Sequence, residues 1–154
     1  VYAGQGNDSP WGLRYRDALT GHFRGASIEE AYDRAVHCEI PGGSSRHGWG
    51  PVGDFWAGLT GSFPGAEVRI DHCIGREDAV VGARAAVRFT LTGVHGGHGM
   101  FGDPTGAPVC ILVICHADFG PDGVRREYVL LDEVAVWQQI HRHTGRHGSS
   151  PLRS

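Results

Sequence analysis

The feature that most limits what this chain can fold into is a change of hydrophobic period at Pro64-Gly65. Before it, Val52, Phe55, Trp56, Leu59 and Phe63 recur at helical steps, so they share one face of a helix that the Pro-Gly pair must end. After it, Val68, Ile70, His72 and Ile74 alternate, and a longer run over residues 79–92 sets Ala85, Val87, Phe89 and Leu91 against Arg84, Ala86, Arg88 and Thr90. Residues 109–119 form a further apolar strand, Gly120-Pro121-Asp122-Gly123 a turn, and residues 124–131 the strand that returns, so these two pair as a hairpin. Helices first and antiparallel strands after define an α+β chain, in which helices close one side of a bent sheet around a pocket.

The remaining segments fit around that frame. Ser27 with Glu30 three residues on is a capping box, and Ile28, Ala31, Tyr32 and Ala35 then share a helical face, which predicts a short helix ending at Val36. Pro41-Gly42-Gly43-Ser44-Ser45 is turn-rich, and residues 93–106 hold so many glycines that they must form an irregular connection. A last helix over residues 133–141 carries Val134, Val136, Trp137 and Ile140. The expected layout is an N-terminal extension to which the sequence assigns no definite structure (1–26), one domain (27–142) and a flexible His-, Gly- and Ser-rich tail (143–154).

Composition excludes several function classes. A length of 154 residues suits one domain, and no apolar run approaches the ~20 residues of a membrane span. The formal charge is −3, and the 14 basic residues are all arginine, scattered among 17 acids, so neither nucleic acid nor membrane is an expected partner. Cys38, Cys73, Cys110 and Cys115 show no CxxC spacing and sit in apolar stretches, as buried thiols of a cytoplasmic protein do. Gly97-His98-Gly99-Met100-Phe101-Gly102 spells a dinucleotide fingerprint, but the turn Asp103-Pro104 follows where a helix must open, so nucleotide binding is not expected. His95 and His98 have no third ligand at zinc spacing, and no cofactor or metal is expected.

Certain stretches resemble the nuclear-transport-factor-2-like superfamily and, within it, the SnoaL-like polyketide cyclases. They are Phe55-Trp56 with Ser62-Phe63-Pro64, Thr92-Gly93-Val94-His95-Gly96, Gly102-Asp103-Pro104-Thr105-Gly106, and Asp122-Gly123-Val124-Arg125-Arg126-Glu127-Tyr128 followed by Asp132 and Gln139. The resemblance covers residues 28–140, with Tyr128 where the family usually has Trp. It implies a cone of highly curved antiparallel sheet with about three helices enclosing a pocket (a cystatin-like α+β barrel) and a homodimer. In the family's cyclases the Asp matching Asp132 is the general acid/base of a cofactor-free intramolecular aldol closure of an aromatic polyketide ester. Relatives keep this fold while changing the chemistry, so the resemblance binds fold more tightly than reaction.

An aldol closure needs a base for an acidic α-proton and a donor for the enolate oxygen, and Asp132 and His116 are the candidate catalytic pair. His116 and Asp118 share a strand face, as do Tyr128 and Asp132; a register that brings the two faces together would make a His and two carboxylates converge. Asp132 equally suits the N-cap of the last helix, His116 a core histidine, and Asp118 a solvated turn acid. His95, Trp56, Tyr128, His37 and Asp118 are the candidate substrate contacts, each also readable as core or surface. An isomerase reading stands beside the cyclase one. The alternatives are an epoxide hydrolase, for which His116-Ala117-Asp118 lacks the required arginine, and a non-catalytic ligand-binding or dimerisation domain. Burial of Asp132 separates them, because a desolvated carboxylate suits proton transfer and an exposed cap does not.

Overall fold

The structure is a computed structural model that describes residues 9–147. Among these, three α-helices and six strands form an α+β fold: α1 (Pro10–His22), β1 (Tyr32–Ile40), β2 (Ser44–His47), α2 (Trp49–Ser62), β3 (Glu67–Asp78), β4 (Gly82–Val94), β5 (Pro108–Gly120), β6 (Gly123–Leu131) and α3 (Glu133–His147). The strands make one curved, unclosed sheet in the order β2-β1-β6-β5-β4-β3. Every neighbouring pair is antiparallel except β1 and β6, which run parallel, so the sheet is mixed rather than wholly antiparallel.

One face of the sheet carries the core. Along β5, Val109, Ile111, Val113, Cys115 and Ala117 point inward while Cys110, Leu112, Ile114, His116 and Asp118 point outward, the two-residue period of a half-buried strand. The inward face meets Val52, Phe55, Trp56 and Leu59 of α2 and Tyr15 and Leu19 of α1. At ~25 cal/mol per Å², each large side chain removed from water there contributes about 1.5–3 kcal/mol.

Segment 1–26, left open by the sequence, supplies α1. Ser9 caps it by accepting from the Trp11 N–H at 3.3 Å, and Pro10 takes the first helical position. Gly12 lets the helix lie on β3: a Cβ there would sit 3.0 Å from the Ile74 carbonyl carbon, and one on Gly75 would sit 2.5 Å from the Gly12 nitrogen. The helix therefore crosses the sheet at backbone distance, which brings Tyr15 and His22 over its inward face.

The helix expected from Ser27 to Val36 is not formed. The capping box is present, with Glu30 Oε2 accepting from the Ser27 N–H at 2.9 Å, but it caps a single 3-10 turn, Ile28–Glu30. Tyr32 then opens β1, because pairing along β6 satisfies more backbone groups than a short isolated helix could. A register shift between Tyr32 and His37 breaks the two-residue period and hid the strand from pattern reading. The turn-rich segment beyond holds a hairpin, with Gly42 and Gly43 at φ 94° and 82° leading into β2. Two further bounds move: β4 begins at Gly82, after a turn at 79–81, and α3 runs on to His147, into the stretch expected to be tail. The rest of that tail, like residues 1–8, lies outside the described residues.

Candidate functional site

The inward register of β6 buries one acid. Ala117 of β5 pairs with Glu127, and since Ala117 faces the core, Glu127 does too; it has 0% of its surface exposed. Four donors from three elements, α1, β1 and α2, converge on its carboxylate. The Tyr15 and Tyr32 hydroxyls each donate to Oε2 at 2.6 Å, the Trp56 indole N–H donates to Oε1 at 3.1 Å, and the Cys38 thiol approaches Oε1 at 3.6 Å. Hydroxyl-to-carboxylate distances this short are those of charge-assisted bonds.

Burial drives the electrostatics. No arginine or histidine bonds to Glu127 among the described residues, so desolvation raises its pKa, and the four donors oppose that rise without cancelling it. The same burial, reinforced by the carboxylate, pushes the Tyr15 and Tyr32 hydroxyls and the Cys38 and Cys115 thiols upward, so all four stay protonated, the tyrosines and Cys38 as donors to Glu127. The arrangement is a carboxylate able to hold or release a proton inside a shell of neutral groups.

From this centre one hydrogen bond leads outward. His22, at the end of α1, places Nε2 3.0 Å from the Tyr32 hydroxyl and stacks on Trp56 with ring centroids 4.3 Å apart. Desolvation lowers its pKa to about 3, which keeps the imidazole neutral at physiological pH. His22 and Tyr32 line a cleft of about 260 Å³ between α1 and the 3-10 turn, with Arg14, Ala18, Gly21 and Ala31 among its walls.

The residues singled out by sequence fall elsewhere, with one exception. Trp56 is buried and bonded to Glu127. His116, Asp118 and Tyr128 do share a face, with the His116 and Tyr128 rings stacked at 5.8 Å and His116 Nε2 3.9 Å from Asp118, but it is the outward face of the sheet. Asp132 lies just past the end of β6, four residues beyond Tyr128, the residue paired with His116, so the chain carries it along the sheet away from His116 by roughly 13 Å at ~3.3 Å per strand residue. It is exposed, and its Oδ1 accepts from the Ala135 N–H at 3.0 Å, the geometry of a helix cap. His37 lies on β1, half-buried, 2.6 Å from Glu39. His95 is fully buried in the glycine-rich connection; its Nδ1 lies 2.9 Å from the Thr105 hydroxyl and its Nε2 has no hydrogen-bond partner among the described residues. Burial holds its pKa down.

Sequence reasoning missed Glu127, Tyr15, Tyr32 and His22. Counting out from the Gly120-Pro121-Asp122-Gly123 turn, where Phe119 pairs with Val124, would set Tyr128 opposite the inward Cys115; the register shift between Asp118 and Phe119 sets Glu127 opposite Ala117 instead, so no local signal in the sequence marks it. Among the described residues, no cluster of His, Cys, Asp or Glu could hold a metal ion.

No family model matches the chain, and no curated protein matches it in sequence. Solved structures do match. A candidate SnoaL-like polyketide cyclase from Jannaschia sp. CCS1 aligns over 86% of this chain and 94% of its own, with TM-score 0.68 and 19% identity. AclR, a candidate hydroxylase from Streptomyces galilaeus, aligns over 86% and 96%, with TM-score 0.69 and 16% identity. A SnoaL-like polyketide cyclase from Agrobacterium tumefaciens str. C58 aligns over 84% and 97%, with TM-score 0.62 and 21% identity. The chain thus has the fold of the SnoaL-like proteins of the nuclear-transport-factor-2-like superfamily. At such identities the likeness is one of fold.

Proposed function

We propose that this protein is a cofactor-independent acid/base enzyme acting on a small carbonyl-bearing molecule, of the reaction class to which polyketide cyclases belong, with Glu127 as the group that stores the proton. The observation that carries this reading is the isolated carboxylate of Glu127, sealed in the core, raised in pKa by desolvation and bonded only to neutral donors. A structural acid is more often paired with a cation or left at the surface. A buried one whose affinity for protons is raised is what proton transfer near neutral pH requires. Structural likeness to polyketide cyclases is consistent with this class and does not select a substrate.

The test is deuterium wash-out from the acidic C–H of small β-dicarbonyl esters, followed by NMR with wild type and Glu127→Gln. Acceleration by wild type that Glu127→Gln loses supports the reading. No acceleration across such a panel, or acceleration that survives in Glu127→Gln, removes it in favour of a ligand-binding or structural domain.

A second copy of the chain is the partner we propose. Leu112, Ile114 and Leu130 are 51%, 43% and 62% exposed on the outward face, and Ile114 pairs directly with Leu130 across the two central strands. An aliphatic patch in the middle of a sheet face suits a sheet-to-sheet contact. No helix among the described residues is long and apolar enough to cross a membrane. All four cysteines are free, as a reducing cytoplasmic location would keep them.

A further inference from the structure

Glu127 has no exposed surface, so a molecule in solution cannot touch it directly, and a proton must travel between it and the outside. We propose that His22, Tyr32 and Glu127 form a proton wire, and that Nδ1 of His22 is the atom that meets a substrate in the cleft beside α1. This deepens the acid/base reading and rests on it.

Three observations select this route. First, the Tyr32 hydroxyl donates to Glu127 Oε2 at 2.6 Å and lies 3.0 Å from His22 Nε2. A hydroxyl whose proton is committed to a carboxylate can only accept from the imidazole, so Nε2 carries the ring proton and Nδ1 keeps its lone pair. Second, no hydrogen bond among the described residues occupies Nδ1, and His22 lines the cleft of about 260 Å³. Stacking on Trp56 at an interplanar angle of 14° fixes the ring while leaving its edges available. Third, the other donors do not reach the cleft: Tyr15, Trp56 and Cys38 are buried, Cys38 meets besides Glu127 the Glu39 backbone carbonyl at 3.8 Å, and among the described residues none of the three is hydrogen-bonded onward to a residue of the cleft wall.

The transfer balances without a charged intermediate at rest. Nδ1 takes a proton from a C–H beside a carbonyl, leaving the electron pair on the substrate as an enolate. Nε2 passes its proton to the Tyr32 oxygen, and the Tyr32 hydroxyl passes its own to Glu127 Oε2. His22 ends neutral in the other tautomer, Tyr32 ends neutral, and Glu127 becomes a neutral acid; return runs the same steps backward. The chemical class admitted is a molecule with a carbonyl-activated C–H that fits between Ala18, Gly21 and Ala31. The charged groups facing His22 across the cleft are Arg14, Asp17 and Glu30, and the titratable groups around Glu127 are Tyr15, Tyr32, Cys38 and Cys115, all protonated and neutral. None of the cleft charges is hydrogen-bonded to the wire.

A pH jump on ¹³C-Glu-labelled protein, with the Glu127 carboxyl band followed by time-resolved infrared spectroscopy and assigned by Glu127→Gln, reads the wire directly. The rate at which Glu127 gains its proton should fall by roughly tenfold or more in both His22→Phe and Tyr32→Phe, the size expected when a positioned proton carrier is removed. An unchanged rate in either variant overturns the proposal. Should either variant fail to fold, wild type alone suffices: near pH 5 ordinary histidines, with pKa about 6.5, are mostly protonated, so diethyl pyrocarbonate should modify the neutral His22 first and slow Glu127 protonation. An unmodified His22, or modification without slowing, overturns it equally. A wire that conducts in a protein without C–H exchange activity would leave this inference standing and remove the catalytic reading. Exchange activity with rates independent of His22 and Tyr32 would do the reverse.

Discussion

Tyr15 on α1 and Tyr32 on β1 aim their hydroxyls at one atom, Oε2 of Glu127, each from 2.6 Å. Two donors on one oxygen back each other up, and this makes their energetics non-additive. Tyr15→Phe or Tyr32→Phe alone leaves Oε2 with one strong bond and should cost about 1–2 kcal/mol in urea unfolding. The double variant strips the oxygen and should cost more than the two singles together, with a coupling of roughly 0.5–3 kcal/mol. Strict additivity would mean that the two hydroxyls act independently of each other.

Glu127→Gln tests the same shell from its centre. The amide keeps one acceptor but turns an NH₂ toward groups that donate to Glu127 in the wild type, either the tyrosines, whose hydroxyls would have to reverse, or Trp56 Nε1, which can only donate. Desolvation without a partner then applies on one side, so the variant should lose about 2–3 kcal/mol of stability while still folding. A variant as stable as wild type would show that Glu127 is already protonated and donating in the native protein.

Stability should depend on pH through His22 with a definite sign. Its folded pKa of about 3 lies below the ordinary 6.5, so between these values the unfolded chain binds the extra proton. The stabilisation is complete above pH 6.5 and is lost as pH falls toward 3. Glu127 acts oppositely: its raised pKa gives stabilisation that is complete below the ordinary value of 4.5 and lost as pH rises through the folded value. Replacing His22 by Phe isolates the first contribution, and the difference between wild type and variant should change by roughly 3 kcal/mol between about pH 7 and pH 4. A constant difference across that range would mean that His22 titrates normally.

The contrast between what the sequence made legible and what it hid follows from range. The period change at Pro64-Gly65, the hairpin at Gly120-Pro121-Asp122-Gly123 and the family stretches around Glu127-Tyr128 were local, and they yielded α2, β3, β5, β6 and the fold class. β1 was misread because a parallel partner some ninety residues away, together with a register shift, decides its conformation. The site itself joins Tyr15 of α1, Tyr32 and Cys38 of β1, Trp56 of α2 and Glu127 of β6, so no spacing in the chain could reveal it. Asp132 drew attention through its motif position, and local capping is enough to account for where it lies.

Gln139 makes a prediction of a different kind. Its side-chain amide accepts from the Cys110 N–H at 2.8 Å and donates to the Cys110 carbonyl at 3.1 Å, serving β5 as a substitute strand where β6 has ended. Gln139→Leu should cost about 1–3 kcal/mol, and the amide of Cys110 should lose hydrogen-exchange protection well before those of Val113 and Cys115. Glutamate should not rescue it, since a carboxylate cannot donate to the carbonyl.

The outward sheet face and the helix cap can be separated by two substitutions that leave the core alone. If a second copy covers Ile114 and Leu130, then Leu130→Arg should convert a dimer to a monomer in sedimentation while circular dichroism stays unchanged, since 62% of Leu130 is open to solvent in the single chain. A wild-type monomer would withdraw the dimer at once. Asp132 lies next to this face but acts on α3: its Oδ1 holds the Ala135 N–H, one of the first-turn donors that the helix itself cannot satisfy. Asparagine keeps that oxygen, so Asp132→Asn should change stability by less than about 0.5 kcal/mol, whereas Asp132→Ala should cost about 1 kcal/mol and fray the start of α3. An Asp132→Asn variant that unfolds like Asp132→Ala would mean that the negative charge, not the hydrogen bond, is what α3 requires of this position.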